Sequence, residues 1–183
     1  MIHMKILDLI HLQARKEGLE FILIGGHAIN AIGDRRQTRD IDLVVCETDR
    51  KHWKELLLSI GYEELNVSDA FLQFSPTDMA QWPVDIILVN KETYNGLRDK
   101  ATAMNIGGQY DVLIPAAEHL IAMKLHTLKQ GNQERRLKDL LDVITLVRHG
   151  KIDTDSDYFR QLCEKYATLE IYEEIIKAFN KHK

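Results

Sequence analysis

The chain has 183 residues, which is enough for one large domain or two small ones. Its 45% hydrophobic and 28% charged residues describe a packed globular protein and exclude a disordered or fibrous one. The net charge of −4 argues against a protein that binds nucleic acid over a wide surface, because such proteins are usually basic.

The cysteines and the N-terminal residues indicate the cellular compartment in which the protein is expected. Cys46 and Cys163 lie far apart, without metal-ligand spacing, so a reducing environment is expected and Cys46 is interpreted as a small buried hydrophobe. Charged and histidine residues interrupt the first thirteen positions, which therefore indicate an amphipathic helix and not a signal peptide. No apolar run approaches the ~20 residues needed to cross a bilayer. The sequence predicts a soluble, cytoplasmic protein with no membrane partner.

Helices and strands alternate through the first two-thirds of the chain. Glycines end several of the predicted elements, as at Gly18 after the first helix and Gly61 after the third. The predicted helices are 2–17, 27–32, 49–60 and 91–101. The predicted strands are 21–24, 40–45, 70–74, 84–89, 104–106 and 112–114.

The last third is helical throughout. Pro115 opens it, at a position where helices tolerate proline best. The predicted helices are 115–129, 134–149, 155–166 and 168–181. The sequence therefore predicts an α/β (α+β) fold, with an α/β domain over residues 1–114 and a C-terminal helical bundle over 115–183.

Two aspartates in the second strand are the first chemical signal. Side chains alternate along a strand, so Asp40 and Asp42 should share one face, roughly 6.5–7 Å apart, while Ile41 and Leu43 face a core. Two carboxylates on one side repel each other unless a cation lies between them, and magnesium is the natural occupant. On its own, an Asp-x-Asp pair is more often a solvated strand end.

The preceding turn strengthens the metal interpretation. Gly25 and Gly26 end the first strand and open a helix, so their backbone N–H groups can approach a phosphate at a helix N-terminus. A phosphate-binding turn followed by a strand with two carboxylates is what phosphoryl-type transfer requires.

Asp85 supplies a third carboxylate. It lies in the nearly continuous apolar run 84–89, so its strand is expected to be buried on both faces. Acids in such strands are rare unless paired or metal-bound, although a charge exposed just after Pro83 is the alternative. Asp85 could accept the proton of an attacking hydroxyl or complete a second metal site.

Lys124 stands out in the C-terminal part. It lies in the middle of an apolar helical stripe, and a lysine that faces inward needs a partner. A triphosphate would serve, as would an internal ion pair with an acid or a stem that reaches solvent. The stripe comprises Ala117, Leu120, Ile121, Leu125 and Leu128.

These motifs together resemble a known superfamily. Segment 25–28 (GGHA), segment 38–43 (TRDIDL) and Asp85 look like the signature of the DNA-polymerase-β-like nucleotidyltransferases, over about residues 20–90. The resemblance implies a mixed sheet flanked by helices, two magnesium ions (with Mn²⁺ as the substitute), and transfer of a nucleoside monophosphate with release of pyrophosphate. Asp40, Asp42 and Asp85 would be its metal-binding catalytic residues, and Gly25 and Gly26 would bind the nucleotide.

The C-terminal helices are similar, more loosely, to those of the AbiEii-type and MenT-type toxin branch. Segments 120–125 (LIAMKL) and 136–142 (RLKDLLD) carry this likeness. It implies that Lys124 and Asp139 bind the nucleotide, that the acceptor is RNA such as the 3′ end of tRNA, and that an antitoxin protein is a partner. Asp139 has only the resemblance to support it.

Two residues in the turn depart from the superfamily pattern. Gly26 replaces a frequent serine, which removes a side-chain contact to phosphate and leaves the backbone. His27 stands where many toxin members have a small residue, and it either packs beside the turn or contacts the triphosphate. Basic runs at 34–39 and 129–138 could meet RNA phosphates or be solvated loops and helix starts.

The leading hypothesis is an enzyme that transfers a nucleotide from a triphosphate to a hydroxyl. An inactive nucleotide-binding or regulatory module is the alternative from another class. Transfer to a small molecule or to a protein, and kinase-like transfer of the γ-phosphate, also remain open.

Overall fold

The structure, a computed structural model, describes residues 2–33, 35–131 and 133–181, with side chains from residue 6 to residue 180. It contains two compact units. The first comprises the chain up to Ala31 together with Arg36–Ala116, and the second comprises Ile32–Arg35 together with the chain from Ala117. No helix within the described ranges is long and apolar enough to span a membrane.

A five-stranded mixed sheet forms the centre of the first unit, with strand order β1-β2-β5-β4-β3. Strands β2 and β5 run parallel, and the other neighbours in the sheet are antiparallel. The strands are β1 (Ile22–Leu23), β2 (Ile41–Cys46), β3 (Tyr62–Ser68), β4 (Phe71–Pro76) and β5 (Val84–Val89). A separate antiparallel pair is formed by β6 (Thr102–Asn105) and β7 (Asp111–Ile114).

The α-helices within the described part of this unit are α1 (Ile2–Lys16), α2 (Gly25–Ile32), α3 (Arg50–Ser59) and α4 (Lys91–Arg98). A 3₁₀ turn over Glu47–Asp49 precedes α3. Trp53 of α3 is fully buried, as are Leu23 of β1 and Leu43 of β2. The second unit consists mainly of α5 (Ala117–Lys129), α6 (Gln133–His149), α7 (Asp157–Tyr166) and α8 (Leu169–Lys181). The predicted α/β architecture with a helical C-terminal region is confirmed.

The sequence missed one strand. Only Tyr62 of the seven residues in β3 is buried, because β3 is the edge strand of the sheet and its next side chains, including Glu63 and Glu64, face solvent. A strand exposed on both faces lacks the alternation of apolar and polar residues that identifies strands from sequence.

The expectation that β5 is buried on both faces was wrong. Val84, Ile86 and Leu88 are buried, but Asp85 and Val89 are partly exposed and Ile87 is exposed. One face of β5 therefore packs into the core while the other remains accessible. This makes a charged residue at position 85 tolerable, although its Oδ1 atom is itself buried.

Candidate active site

Asp42 and Asp85 are brought side by side by the sheet. They are register partners across the parallel pair β2 and β5, and neighbouring strands lie about 4.8 Å apart. Both residues are partly exposed, whereas Ile41 and Leu43 are buried on the opposite side of β2. The two carboxylates therefore share the accessible face of the sheet.

Asp40 lies just outside the strand. It is exposed and lies one residue before β2 begins. The Ile41 N–H donates to the Pro83 carbonyl at 2.9 Å, so the pairing of strands β2 and β5 starts directly after Asp40. Among the residues that the structure describes, no three His, Cys, Asp or Glu side chains form a group that could hold a metal ion. The structure thus pairs Asp42 with Asp85 and leaves Asp40 at the entrance of the strand.

Gly25 is the first residue of α2 and lies against Asp42. Its φ is +61°, a conformation that favours glycine. A Cβ at this position would overlap the Oδ2 of Asp42, and the Ile24 N–H donates to the Asp42 carbonyl at 2.9 Å. The carboxylate therefore packs directly on the backbone of the turn, at the helix end that favours an anion.

Gly26 has a different pair of neighbours. A Cβ on Gly26 would overlap the hydroxyl of Thr38 and would lie 3.1 Å from Nη1 of Arg36. A guanidinium and a hydroxyl thus flank the second residue of α2. Both groups donate hydrogen bonds to phosphate oxygens readily.

Asn30 holds the segment that carries Arg36. Its side-chain amide donates to the Arg36 carbonyl at 2.8 Å, and its Oδ1 accepts from the Arg36 N–H at 3.0 Å. These bonds tie the segment before β2 to helix α2. Sequence reasoning assigned Arg36 to a basic run and gave Thr38 no role of its own, because nothing in the sequence reports a fold-back of this kind.

A buried ionic cluster lies within the second unit. The Lys124 ammonium on α5 contacts Asp139 at 2.7 Å and Asp142 at 2.9 Å, both on α6. Lys124 is 8% exposed and the two aspartates are 1% and 2% exposed. Of the alternatives for Lys124, an internal ion pair is what the contacts show. Asp142 is a third member; it ends the segment 136–142 that carried the toxin-branch resemblance, but the sequence analysis gave it no role of its own.

The cysteines do not contribute to a site. Cys46 and Cys163 are buried, as was predicted for Cys46. Burial raises the pKa of the Cys163 thiol to about 12, so this thiol stays protonated at neutral pH and is a poor nucleophile.

The Gly25 turn yields a direct test. Gly25→Ala should lower the free energy of unfolding by about 1–3 kcal/mol, because the methyl group meets Asp42 and alanine disfavours positive φ. Gly96→Ala in α4 is the matched control, since a Cβ there meets nothing within 4 Å and should stabilise the helix by about 0.5–1 kcal/mol. Urea unfolding measures both. Equal effects at the two positions would contradict the close approach at Gly25.

Comparison with known families decides the class of the protein. A family described as uncharacterised nucleotidyltransferases matches residues 2–181, almost the whole chain. The chain belongs to this family. It is thus an enzyme of the nucleotidyltransferase class, and the predicted superfamily is confirmed. No curated protein matches the sequence.

Solved structures support the nucleotidyltransferase fold. The chain resembles the aminoglycoside-resistance enzyme ANT(2″)-Ia in complex with adenylyl-2″-tobramycin, with a TM-score of 0.62 and 16% identity over 98% of this chain and 97% of that one. An antigenic nucleotidyltransferase-like protein from Paracoccidioides brasiliensis matches with a TM-score of 0.60 and 13% identity, over 97% of this chain and 91% of that one. Lincomycin-bound LnuA, a lincosamide antibiotic adenylyltransferase, matches with a TM-score of 0.50 and 16% identity, over 81% of this chain and 93% of that one. At these identities the likeness concerns the fold, and membership of the toxin branch stays a prediction.

Proposed function

We propose that this nucleotidyltransferase moves a nucleoside monophosphate from a nucleoside triphosphate to a hydroxyl acceptor and releases pyrophosphate. One observation carries the proposal. The carboxylates of Asp42 and Asp85 are register partners on an accessible sheet face, and Asp42 packs on the glycine that opens α2. Paired acids beside a helix N-terminus suit a triphosphate with its cation.

The acid pair fits a divalent cation. Magnesium in such sites is usually held by one or two carboxylates together with the phosphates of the substrate, so the pair needs no further protein ligand. Asp42 and Asp85 would hold it, with Asp40 completing the set for a second ion at the strand entrance; Mn²⁺ is the substitute. When bound, the cation supplies charge neutralisation and orientation of the phosphates.

The chain's own groups have separate roles in this proposal. The N–H groups of Gly25 and Gly26 bind the β- and γ-phosphates, assisted by Arg36 and Thr38. The acceptor oxygen forms a bond to the α-phosphorus while the bond from that phosphorus to the bridging oxygen breaks. Pyrophosphate leaves with that electron pair, and the Asp85 carboxylate takes the proton of the acceptor hydroxyl.

Arg36 gives this proposal a binding test. Arg36→Ala should weaken binding of ATP with MgCl₂ by about 10–150-fold, the equivalent of a charge-assisted hydrogen bond worth 1.5–3 kcal/mol. The backbone bonds of Asn30 to residue 36 do not depend on the side chain, so the segment should keep its place. Arg35→Ala, at the exposed preceding residue, is the control. Unchanged affinity in Arg36→Ala, measured by calorimetry, would contradict the role.

The resemblance also assigned nucleotide binding to Lys124 and Asp139. Their contacts with each other, and with Asp142, favour a different main role for the lysine. A triphosphate would compete with two buried carboxylates for the same ammonium. We therefore propose that the cluster chiefly fastens α5 to α6, and a nucleotide contact by Lys124 and Asp139 stays a prediction.

RNA is the acceptor that the toxin resemblance implies. The exposed Arg35 and Arg39 could meet its phosphates. Arg136, in the second basic run, already has a protein partner, since Glu174 binds it. A toxin role, an antitoxin partner and a cytoplasmic location remain predictions from the sequence.

A small hydroxylated molecule is the second candidate acceptor. The net charge of −4 disfavours a long nucleic-acid contact. The chain also covers nearly the full length of ANT(2″)-Ia, whose structure holds an adenylylated aminoglycoside, and most of LnuA, which binds lincomycin. Tobramycin and lincomycin are therefore the first small acceptors to test.

Labelled triphosphates distinguish these functions. The protein is incubated with each of the four triphosphates, labelled at the α- or the γ-phosphate, together with total RNA, tobramycin or lincomycin. Transfer of α-label to an acceptor with release of pyrophosphate is the expected result. Transfer of γ-label would instead identify a kinase, and triphosphate binding without transfer to any acceptor would favour the inactive regulatory module.

A further inference from the structure

One aromatic ring from helix α2 contacts another from the segment that precedes β5. The His27 imidazole and the Trp82 indole have centroids 4.8 Å apart, with their planes inclined by 33°. His27 lies in the first turn of α2, directly after Gly26, and Trp82 lies three residues before Asp85. The pair therefore connects the proposed phosphate-binding turn with the segment that precedes β5.

The position of Trp82 is fixed by its backbone. The Trp82 carbonyl accepts a hydrogen bond from the Tyr62 hydroxyl at 2.9 Å. Tyr62 is 2% exposed, and burial raises its pKa to about 12, so the phenol remains a donor throughout the physiological range. The next carbonyl, that of Pro83, accepts from the Ile41 N–H at 2.9 Å. The carbonyls of Trp82 and Pro83 are thus each held by a residue of the sheet.

The pair has the reach and the exposure that a nucleotide site needs. Trp82 lies about 10 Å from Asp85 along the chain direction, given a rise of about 3.3 Å per residue. A nucleotide whose phosphates lie at Gly25 and Gly26 would also lie within reach of His27, the next residue of α2, and of the Trp82 ring that His27 contacts. Trp82 and His27 are both partly exposed, whereas Trp53, the other tryptophan in the chain, is fully buried.

Resting on the function proposed above, we infer that the His27–Trp82 pair forms the nucleobase-binding wall of this site. The base of the triphosphate stacks against the exposed part of the pair. Stacking on an aromatic side chain contributes about 1–3 kcal/mol per base and tolerates all bases, because every base has a π-face. The enzyme should therefore accept several nucleotides with modest differences in affinity.

The test compares a ligand that has a base with one that has none. Calorimetry with MgCl₂ measures ATP and inorganic tripolyphosphate on the wild type and on Trp82→Ala. ATP should bind about 5–150-fold more weakly to the variant, the equivalent of 1–3 kcal/mol, while tripolyphosphate affinity stays within about twofold. Tyr158→Ala, which removes an exposed aromatic from α7, should change neither.

Fluorescence provides a second readout that needs no destabilising variant. Because Trp53 is fully buried, ATP should change the tryptophan emission of the wild type through Trp82, and tripolyphosphate should change it far less. Trp82→Phe should keep most of the ATP affinity and lose the signal. Equal losses of affinity for both ligands in Trp82→Ala, or ATP binding without an emission change, would contradict base binding by the His27–Trp82 pair. Failure of the wild type to bind either ligand would overturn the proposed function itself.

Discussion

Replacing Asp42 by asparagine should reduce nucleotide transfer by on the order of 10³-fold or more. The amide keeps the size of the side chain but removes the charge that faces Asp85 and that would hold the cation at Gly25. Release of pyrophosphate from labelled triphosphate, with the acceptor that the labelling experiment identifies, measures the loss. Retained turnover would contradict the proposed role of Asp42.

The fold should survive this substitution. Asparagine at position 42 ends the repulsion between two neighbouring carboxylates, which offsets contacts that the amide loses. In EDTA, the free energy of unfolding should therefore change by less than about 1 kcal/mol. Asp69→Asn, in the exposed turn between β3 and β4, is the control and should affect neither activity nor stability. A collapse of the fold in Asp42→Asn would mean that Asp42 is chiefly structural.

Replacing Lys124 by methionine should lower the free energy of unfolding by about 3–5 kcal/mol. Methionine fills much of the same volume but leaves Asp139 and Asp142 buried without the ammonium that both contact. Urea unfolding at neutral pH, followed by circular dichroism, measures the change. A loss below about 1 kcal/mol would contradict the fastening role of the cluster.

The matched control for Lys124 lies on the same helix. Lys129→Met changes an exposed residue at the end of α5 and should shift stability by no more than about 0.5 kcal/mol. Adding Asp139→Asn and Asp142→Asn to Lys124→Met should recover part of the loss, since it removes the two charges that the ammonium of Lys124 contacts. No recovery in the triple variant would point to packing, and not to charge, as the source of the destabilisation.

The sequence predicted the elements that carry a strong apolar pattern. Strand β5 and the four C-terminal helices were placed within a few residues, because their buried side chains recur with a clear period. The motif assigned Gly25 to the nucleotide and Asp42 to a metal without stating that the two residues are in contact. The structure adds the reason for the glycine: the Asp42 carboxylate occupies the space that a Cβ would need.

Other features depend on contacts that a linear pattern does not encode. Arg36 lies beside Gly26 only because Asn30 binds the backbone on both sides of that residue. Trp82 contacts His27, which lies 55 positions earlier in the sequence, and Tyr62 holds the Trp82 carbonyl. Asp142 contacts Lys124 because α5 and α6 pack together. The edge strand β3 shows no hydrophobic periodicity because both of its faces are exposed to solvent.

The dependence of triphosphate binding on both magnesium and Asp85 tests the account most directly. Calorimetry measures ATP affinity for the wild type and for Asp85→Asn, each in MgCl₂ and in EDTA. We expect the wild type to bind ATP at least tenfold more tightly in magnesium, and Asp85→Asn to show little difference between the two conditions. Equal affinities in all four experiments would contradict a site in which Asp42 and Asp85 hold the cation of the triphosphate.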